Sequence, residues 1–112
     1  MSAPAASERF DILCMGEPLV EFAATKGGER LYRYGFGGDT SNTAIAAARQ
    51  GAKVGFVTSL ADDTFSREIL QLWDSDGVDH SGVLIRPGAR TGIYYIHYGP
   101  DGHVFSLSLI HI

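Results

Sequence analysis

Gly37-Gly38-Asp39-Thr40-Ser41-Asn42 is the stretch of this sequence whose residue types and spacing are best suited to chemistry. A glycine pair lets backbone approach a ligand closely, and the Ala-rich run Thr43 to Gln50 that follows reads as a helix with Gly51 at its C-terminal stop. The start of a helix offers unpaired N–H groups and the positive end of a dipole, which favour oxygen-rich ligands. Neither common nucleotide loop fits. The dinucleotide fingerprint needs glycine where Thr40 stands after Gly35 and Gly37, and a P-loop needs Gly-Lys-Ser/Thr. Asp39 can accept from hydroxyls, and Asn42 can both donate and accept, which suits a polyhydroxylated sugar. Taken alone, the glycine pair is more simply a turn into a helix, and Asp39 an acid favoured by the helix dipole.

The elements that position this loop follow from local pattern. Ile12 to Met15 reads as a short strand, Gly16-Glu17-Pro18 as a break, and Leu19 to Phe22 as a second strand. After a turn at 26–29, Leu31 to Tyr34 alternates bulky residues as a strand does, which makes a hairpin with the preceding one. Gly35 to Asn42 is expected to be a flexible loop ending in good N-cap residues, with the helix starting at Thr43 and burying Ala44, Ile45 and Ala48. Val54 to Leu60 reads as one buried strand. Asp62-Asp63-Thr64 can cap a second helix in which Phe65, Ile69, Leu72 and Trp73 share a face, before Asp76-Gly77 ends it. Strand, helix, strand, helix implies a mostly parallel sheet, and two crossover helices leave one of its faces poorly covered. Beyond lie Val83 to Ile85, a Pro87-Gly88 turn, and Thr91 to Tyr98 joined through Pro100-Asp101-Gly102 to His103-Val104-Phe105 as a second hairpin.

Composition limits the functions available. The 112 residues are 45% hydrophobic and 20% charged, enough to bury a core, and the net charge is −4. The nine Lys and Arg are scattered, so there is no basic stripe for nucleic acid or an anionic membrane. No run approaches the length of a membrane span, the first ten residues lack the apolar core of a signal peptide, and Cys14 has no partner for an internal disulfide. A cytoplasmic protein is expected. The four histidines are dispersed, and Asp62-Asp63 is expected to cap a helix rather than hold a metal. Glycine is over-represented, 14 residues against a usual share of about 7%.

Gly37-Gly38-x-x-x-Asn42-x-Ala44, Gly51-Ala52-Lys53-Val54-Gly55-Phe56-Val57, Asp62-Asp63-x-Phe65 and Asp76-Gly77-Val78 together resemble the N-terminal signature of the ribokinase-type (PfkB) carbohydrate kinases. Within that family, Gly16-Glu17-Pro18-Leu19-Val20-Glu21, the Gly-Gly-Asp-Thr-x-Asn loop and Thr91-Gly92-x-Tyr94 are most similar to 2-keto-3-deoxygluconate kinases, and fructokinases share much of the pattern.

The resemblance implies an α/β, ribokinase-like fold: a mostly parallel sheet with flanking helices and a small β-sheet lid, its strands near 19–36 and 91–105. It implies transfer of a phosphoryl group from Mg-ATP to a small-molecule sugar, with Gly37, Gly38, Asp39 and Asn42 holding the sugar from the first helix. Glu21 and Tyr94 would hold it from the lid. Read without the resemblance, Glu21 is as readily a solvent-facing strand residue and Tyr94 a packing residue. Relatives are much longer, and their catalytic aspartate, nucleotide pocket and most contacts to ATP and Mg2+ lie in a C-terminal half, so residues 1–112 are expected to be the N-terminal part of one kinase domain with no catalytic residue of its own. A homodimer through the lid is expected of the complete protein. Residues 107–112 match what a transposon-derived sequencing adapter encodes when translated and are expected to be a non-native tail, a natural terminal strand being the alternative.

Overall fold

The computed structural model describes residues 9–27 and 29–108. The elements run β1 (Ile12–Met15), β2 (Leu19–Ala24), β3 (Tyr32–Gly37), α1 (Asp39–Arg49), β4 (Val54–Val57), β5 (Ser59–Ala61), α2 (Thr64–Asp76), β6 (Val78–Asp79), β7 (Leu84–Arg86), β8 (Ile93–Gly99) and β9 (Gly102–Ser108). They form an α/β body and a separate four-stranded sheet. In the body, β4 lies between β1 and β6 and pairs with both in parallel. The other sheet has the order β3-β2-β8-β9, two antiparallel hairpins joined by a parallel seam between β2 and β8.

The core forms where the helices meet the body sheet. Cys14, Val54, Phe56 and Val78 meet Ala44 of α1 and Ile69 and Trp73 of α2. Phe56 and Trp73 stack with ring centroids 4.4 Å apart, and the Trp73 indole N–H donates to Ser41 Oγ at 3.0 Å, which satisfies the polar groups of both buried residues. Of the expected apolar face of α2, Ile69 and Trp73 are buried and Phe65 packs against the core, with Ser66 and Leu70 added to it, whereas Leu72 lies outside this cluster. Asp63 caps α2 by accepting from Ser66 N–H at 2.8 Å, and Gly77 closes it in the left-handed conformation at φ 80°. As two helices alone would predict, the sheet face bearing Leu13 and Met15 is exposed, by 60% and 75%.

Three expectations are corrected. Residues 35–42 are not a flexible loop: β3 pairs with β2 as far as Gly37, opposite Leu19, and α1 begins at Asp39. Gly38 alone makes the turn and serves as N-cap without any side-chain cap, while Asn42 N–H donates to its carbonyl at 2.9 Å. Val54 to Leu60 is not one strand. The chain changes sheet at Thr58, whose carbonyl accepts from Leu84 N–H at 3.0 Å, so β5 pairs with β7 instead of extending β4. The hairpins are those expected, with strands of 19–24 and 32–37, then 93–99 and 102–108. Of residues 107–112, Leu107 and Ser108 complete β9 opposite Tyr94 and Ile93, and 109–112 lie outside the described residues, as does His111.

Candidate functional site

β2 and β8 run side by side so that Glu21 and Tyr94 are direct partners across the seam. Side chains alternate along a strand, so both project from one face of the sheet while Phe22 and Tyr95 project from the other. The two faces differ in character. On the Phe22 face the rings of Phe22, Tyr34, Tyr95 and Phe65 pack together, with Phe22 and Tyr95 stacked at 5.8 Å. On the Glu21 face, Tyr94 Oη donates to Glu21 Oε1 at 2.5 Å.

Glycines form the floor beneath this pair. Gly35 lies opposite Glu21, and a Cβ there would sit 3.3 Å from Glu21 Oε2. A Cβ on Gly37 would run into the Tyr94 ring, 2.6 Å from Cε1. Gly38 needs its glycine for a second reason, a φ of 96° that L side chains rarely adopt, and a Cβ there would also meet the Glu17 carbonyl at 2.6 Å. Of these, Gly35 is not among the site residues that the sequence points to; its spacing of two from Gly37, on a strand of period two, is the available signal.

Electrostatically the cluster is acidic. The Tyr94 hydroxyl is pushed well above the ordinary tyrosine range, first by burial, then by its bond to Glu21 and that carboxylate's charge, and then by the charge of Asp39. Asp39 lies in the first turn of α1, exposed. The structure therefore brings Glu21, Tyr94, Gly37, Gly38 and Asp39 to one place, where α1 starts beneath the sheet. Asn42 stands one turn further along α1, exposed, and lines a shallow groove with Phe36, Ile45 and Leu72. The arrangement offers several carboxylate oxygens and a phenol as acceptors, matched to the hydroxyls of a polyol. Further along the same face Arg33 lies opposite Ala23, in an open hollow of about 410 Å³ that also takes in Lys26 and Tyr98.

Residues 9–108 match the family described as pfkB family carbohydrate kinase. The chain belongs to this family. Among curated pfkB-family relatives it is 35% identical over 96 residues to fructokinase-1 of Oryza sativa subsp. japonica, covering 81% of this chain and 30% of that protein. It is equally identical, 35% over 95 residues, to the 2-dehydro-3-deoxygluconokinase of Thermoproteus tenax, covering 81% of this chain and 29% of that protein. Among solved structures, fructokinase from Xylella fastidiosa superposes with a TM-score of 0.78 at 32% identity, over 86% of this chain and 31% of that one. The same enzyme with bound ATP gives 0.79 at 30% identity, over 86% of this chain and 29% of that one. The fold is accordingly the ribokinase-like one that the sequence resemblance implied, and this pfkB-family chain spans about a third of the length of the relatives it matches. No helix among the described residues is long and apolar enough to cross a membrane. No group of three or more His, Cys, Asp or Glu residues that could hold a metal ion occurs among the described residues.

Proposed function

We propose that this chain is the sugar-binding part of an ATP-dependent sugar kinase that phosphorylates 2-keto-3-deoxygluconate. The Tyr94–Glu21 hydrogen bond, which joins β8 to β2 and packs against Gly37 at the end of β3, carries the reading: it gathers groups that accept from sugar hydroxyls close to the start of α1, where the charge of Asp39 reaches Tyr94. In this proposal Gly37 and Gly38 let the sugar approach the backbone, Asp39 and Asn42 bind it from α1, and Glu21 and Tyr94 bind it from the sheet, which acts as a lid. The chain's share of catalysis is positioning, the main protein contribution to phosphoryl transfer alongside electrostatic stabilisation. Sites for ATP and Mg2+ are assigned to sequence beyond this chain. A second copy is the partner proposed for the free lid edges β3 and β9, and a reducing cytoplasm suits the unpaired Cys14.

Fructose is the second reading, favoured by one observation: Glu21 and Asp39 both act on Tyr94, and a neutral polyol meets no repulsion there, whereas a sugar acid has to turn its carboxylate away. Arg33, on the same face, gives that carboxylate a place to go. The test is ATP-dependent phosphorylation of both sugars by the chain completed to the length of its relatives. The sugar acid should be preferred, and Arg33→Gln should lower kcat/KM for it by roughly tenfold or more while sparing fructose, as expected for one charge-assisted hydrogen bond. Preference for fructose with no effect of Arg33→Gln selects the second reading, and no turnover of any sugar removes both.

A further inference from the structure

Asp63, Ser66 and Thr91 make a closed hydrogen-bond network between β5, α2 and the start of β8, away from the residues assigned to the sugar. Asp63 Oδ1 accepts from Ser66 N–H at 2.8 Å and from Thr91 Oγ1 at 2.6 Å, and Oδ2 accepts from Thr91 N–H at 3.1 Å. Thr91 has one hydroxyl proton, which goes to the carboxylate. Ser66 Oγ therefore donates to Thr91 Oγ1, at 2.8 Å, and accepts from Ala61 N–H at 3.1 Å. Ser66 is 1% exposed and Thr91 9%, so water is a poor substitute for any of these partners.

Capping α2 occupies only one carboxylate oxygen. The other is committed to the chain entering the lid. Directly after Thr91, the Gly92 carbonyl accepts from Val20 N–H at 3.0 Å, and this bond begins the parallel register Val20 with Ile93 and Glu21 with Tyr94. A one-residue slip there would send Tyr94 to the opposite face.

We propose that Asp63 is a positioning residue for sugar binding: by clamping Thr91 to the helix start, its carboxylate fixes the register in which Tyr94 meets Glu21. The effect on sugar binding rests on the sugar-site reading above; the clamp itself does not.

Asp63→Asn separates the two duties of the side chain. Asparagine caps helices as well as aspartate does, so its oxygen can keep the Ser66 N–H bond. Its NH2 group then faces the Thr91 N–H, donor against donor. In the chain completed to the length of its relatives, amide hydrogen exchange at Thr91 and Val20 should accelerate about tenfold or more in Asp63→Asn, with Ile69 and Trp73 in α2 unchanged. The KM for sugar should rise about tenfold with the KM for ATP held within about twofold, as misplacement of a binding group predicts. Thr91→Ser, which retains both donors, should behave as the parent. Should Asp63→Asn not fold, Thr91→Val, which removes the hydroxyl bond and leaves the cap intact, takes its place, and its sugar KM should rise severalfold. Exchange at Thr91 and Val20 rising no more than at Ile69 overturns the clamp. Faster exchange with an unchanged sugar KM overturns its role in positioning. A parent protein that turns over no sugar instead removes the kinase reading and leaves the exchange comparison to decide the clamp.

Discussion

Gly37 and Tyr94 touch across the four-stranded sheet with room for a hydrogen atom and nothing larger, since a Cβ on Gly37 would sit 2.6 Å from Tyr94 Cε1. The phenol packs against the last residue of β3 before the chain turns into α1. The glycine is thus needed for space, whereas its neighbour Gly38 is needed for conformation, and the two requirements give different mutational signatures.

Gly37→Ala should displace Tyr94 and break its bond to Glu21, and the loss should vanish in a Tyr94→Ala background because the obstructing ring is gone. Gly38→Ala should cost about 1–3 kcal/mol in either background, since its φ of 96° and the Glu17 carbonyl are untouched by the Tyr94 change. A double-mutant cycle read by urea unfolding separates them. Additivity of Gly37→Ala with Tyr94→Ala would contradict the packing described.

Tyr94 and Tyr95 are adjacent in sequence and opposite in space, so the same conservative change should have different effects. Tyr94→Phe keeps the ring over Gly37 and removes only the hydroxyl that bonds Glu21, so the sugar KM should rise by roughly tenfold, with the thermal midpoint little changed. Tyr95→Phe keeps the stack on Phe22 and should leave sugar saturation alone. Kinetics and thermal unfolding on both variants, in the completed chain, check this. A sugar effect confined to Tyr95 would place the ligand on the wrong face of the lid.

Much of this arrangement was legible in the sequence, for identifiable reasons. The 3.6-residue recurrence of Phe65, Ile69 and Trp73 marked α2, and Asp63 and Gly77 marked its ends because capping is a local effect. Pro100-Asp101-Gly102 marked the second hairpin in the same way. The start of α1 was placed at Thr43 because Thr, Ser and Asn are good caps, yet pairing between β2 and β3 runs to Gly37 and leaves Gly38 as the cap. The break at Thr58 was equally hidden, since a strand that changes sheets reads locally like one that continues. Alternation along β8 separates Tyr94 from Tyr95, but nothing local says that Tyr94 meets Glu21, 73 residues away. Only the family resemblance put those two residues in one site, and Thr91 was quoted there without any hint of its bond to Asp63.

Asp63 also sets an expectation at low pH. Burial pushes its carboxyl pKa up, but the hydrogen bonds from Thr91 and Ser66 outweigh this and hold it below the ordinary aspartate range. A depressed folded pKa means that the ionised side chain stabilises the fold fully above its unfolded pKa of about 3.9, and that this contribution disappears as pH falls through the lower folded value. Asn does not titrate. The stability difference between the parent and Asp63→Asn should therefore be constant near neutrality and shrink below about pH 4. Asp79, held low by its bonds from Ser81, is present in both proteins and cancels. Urea midpoints across the acid range check the sign, and a difference that widens on acidification would mean that Asp63 is not held as the ionised acceptor.

Phenolate absorbance can examine both faces of the β3-β2-β8-β9 sheet without any substrate. Tyr34 donates to Glu68 Oε1 at 3.2 Å, and its pKa is pushed up to about 12, chiefly by burial and then by that carboxylate; Tyr94 is raised as well, chiefly by burial and then by Glu21. Raised folded values mean that these phenols favour the fold fully below the unfolded tyrosine pKa of about 10 and lose that contribution as pH climbs through their folded values. Tyr34 and Tyr94 should accordingly titrate late in the intact protein, each identified by the loss of its signal in Tyr34→Phe or Tyr94→Phe. Glu21→Gln removes the charge but leaves an acceptor and the burial, so it should bring the Tyr94 titration part of the way down and leave Tyr34 in place. Glu68→Gln should do the reverse, because Tyr34 and Tyr94 project from opposite faces of the sheet. If Glu21→Gln shifts Tyr34 and spares Tyr94, the register that joins β2 to β8 is wrong and the Glu21–Tyr94 pair falls with it.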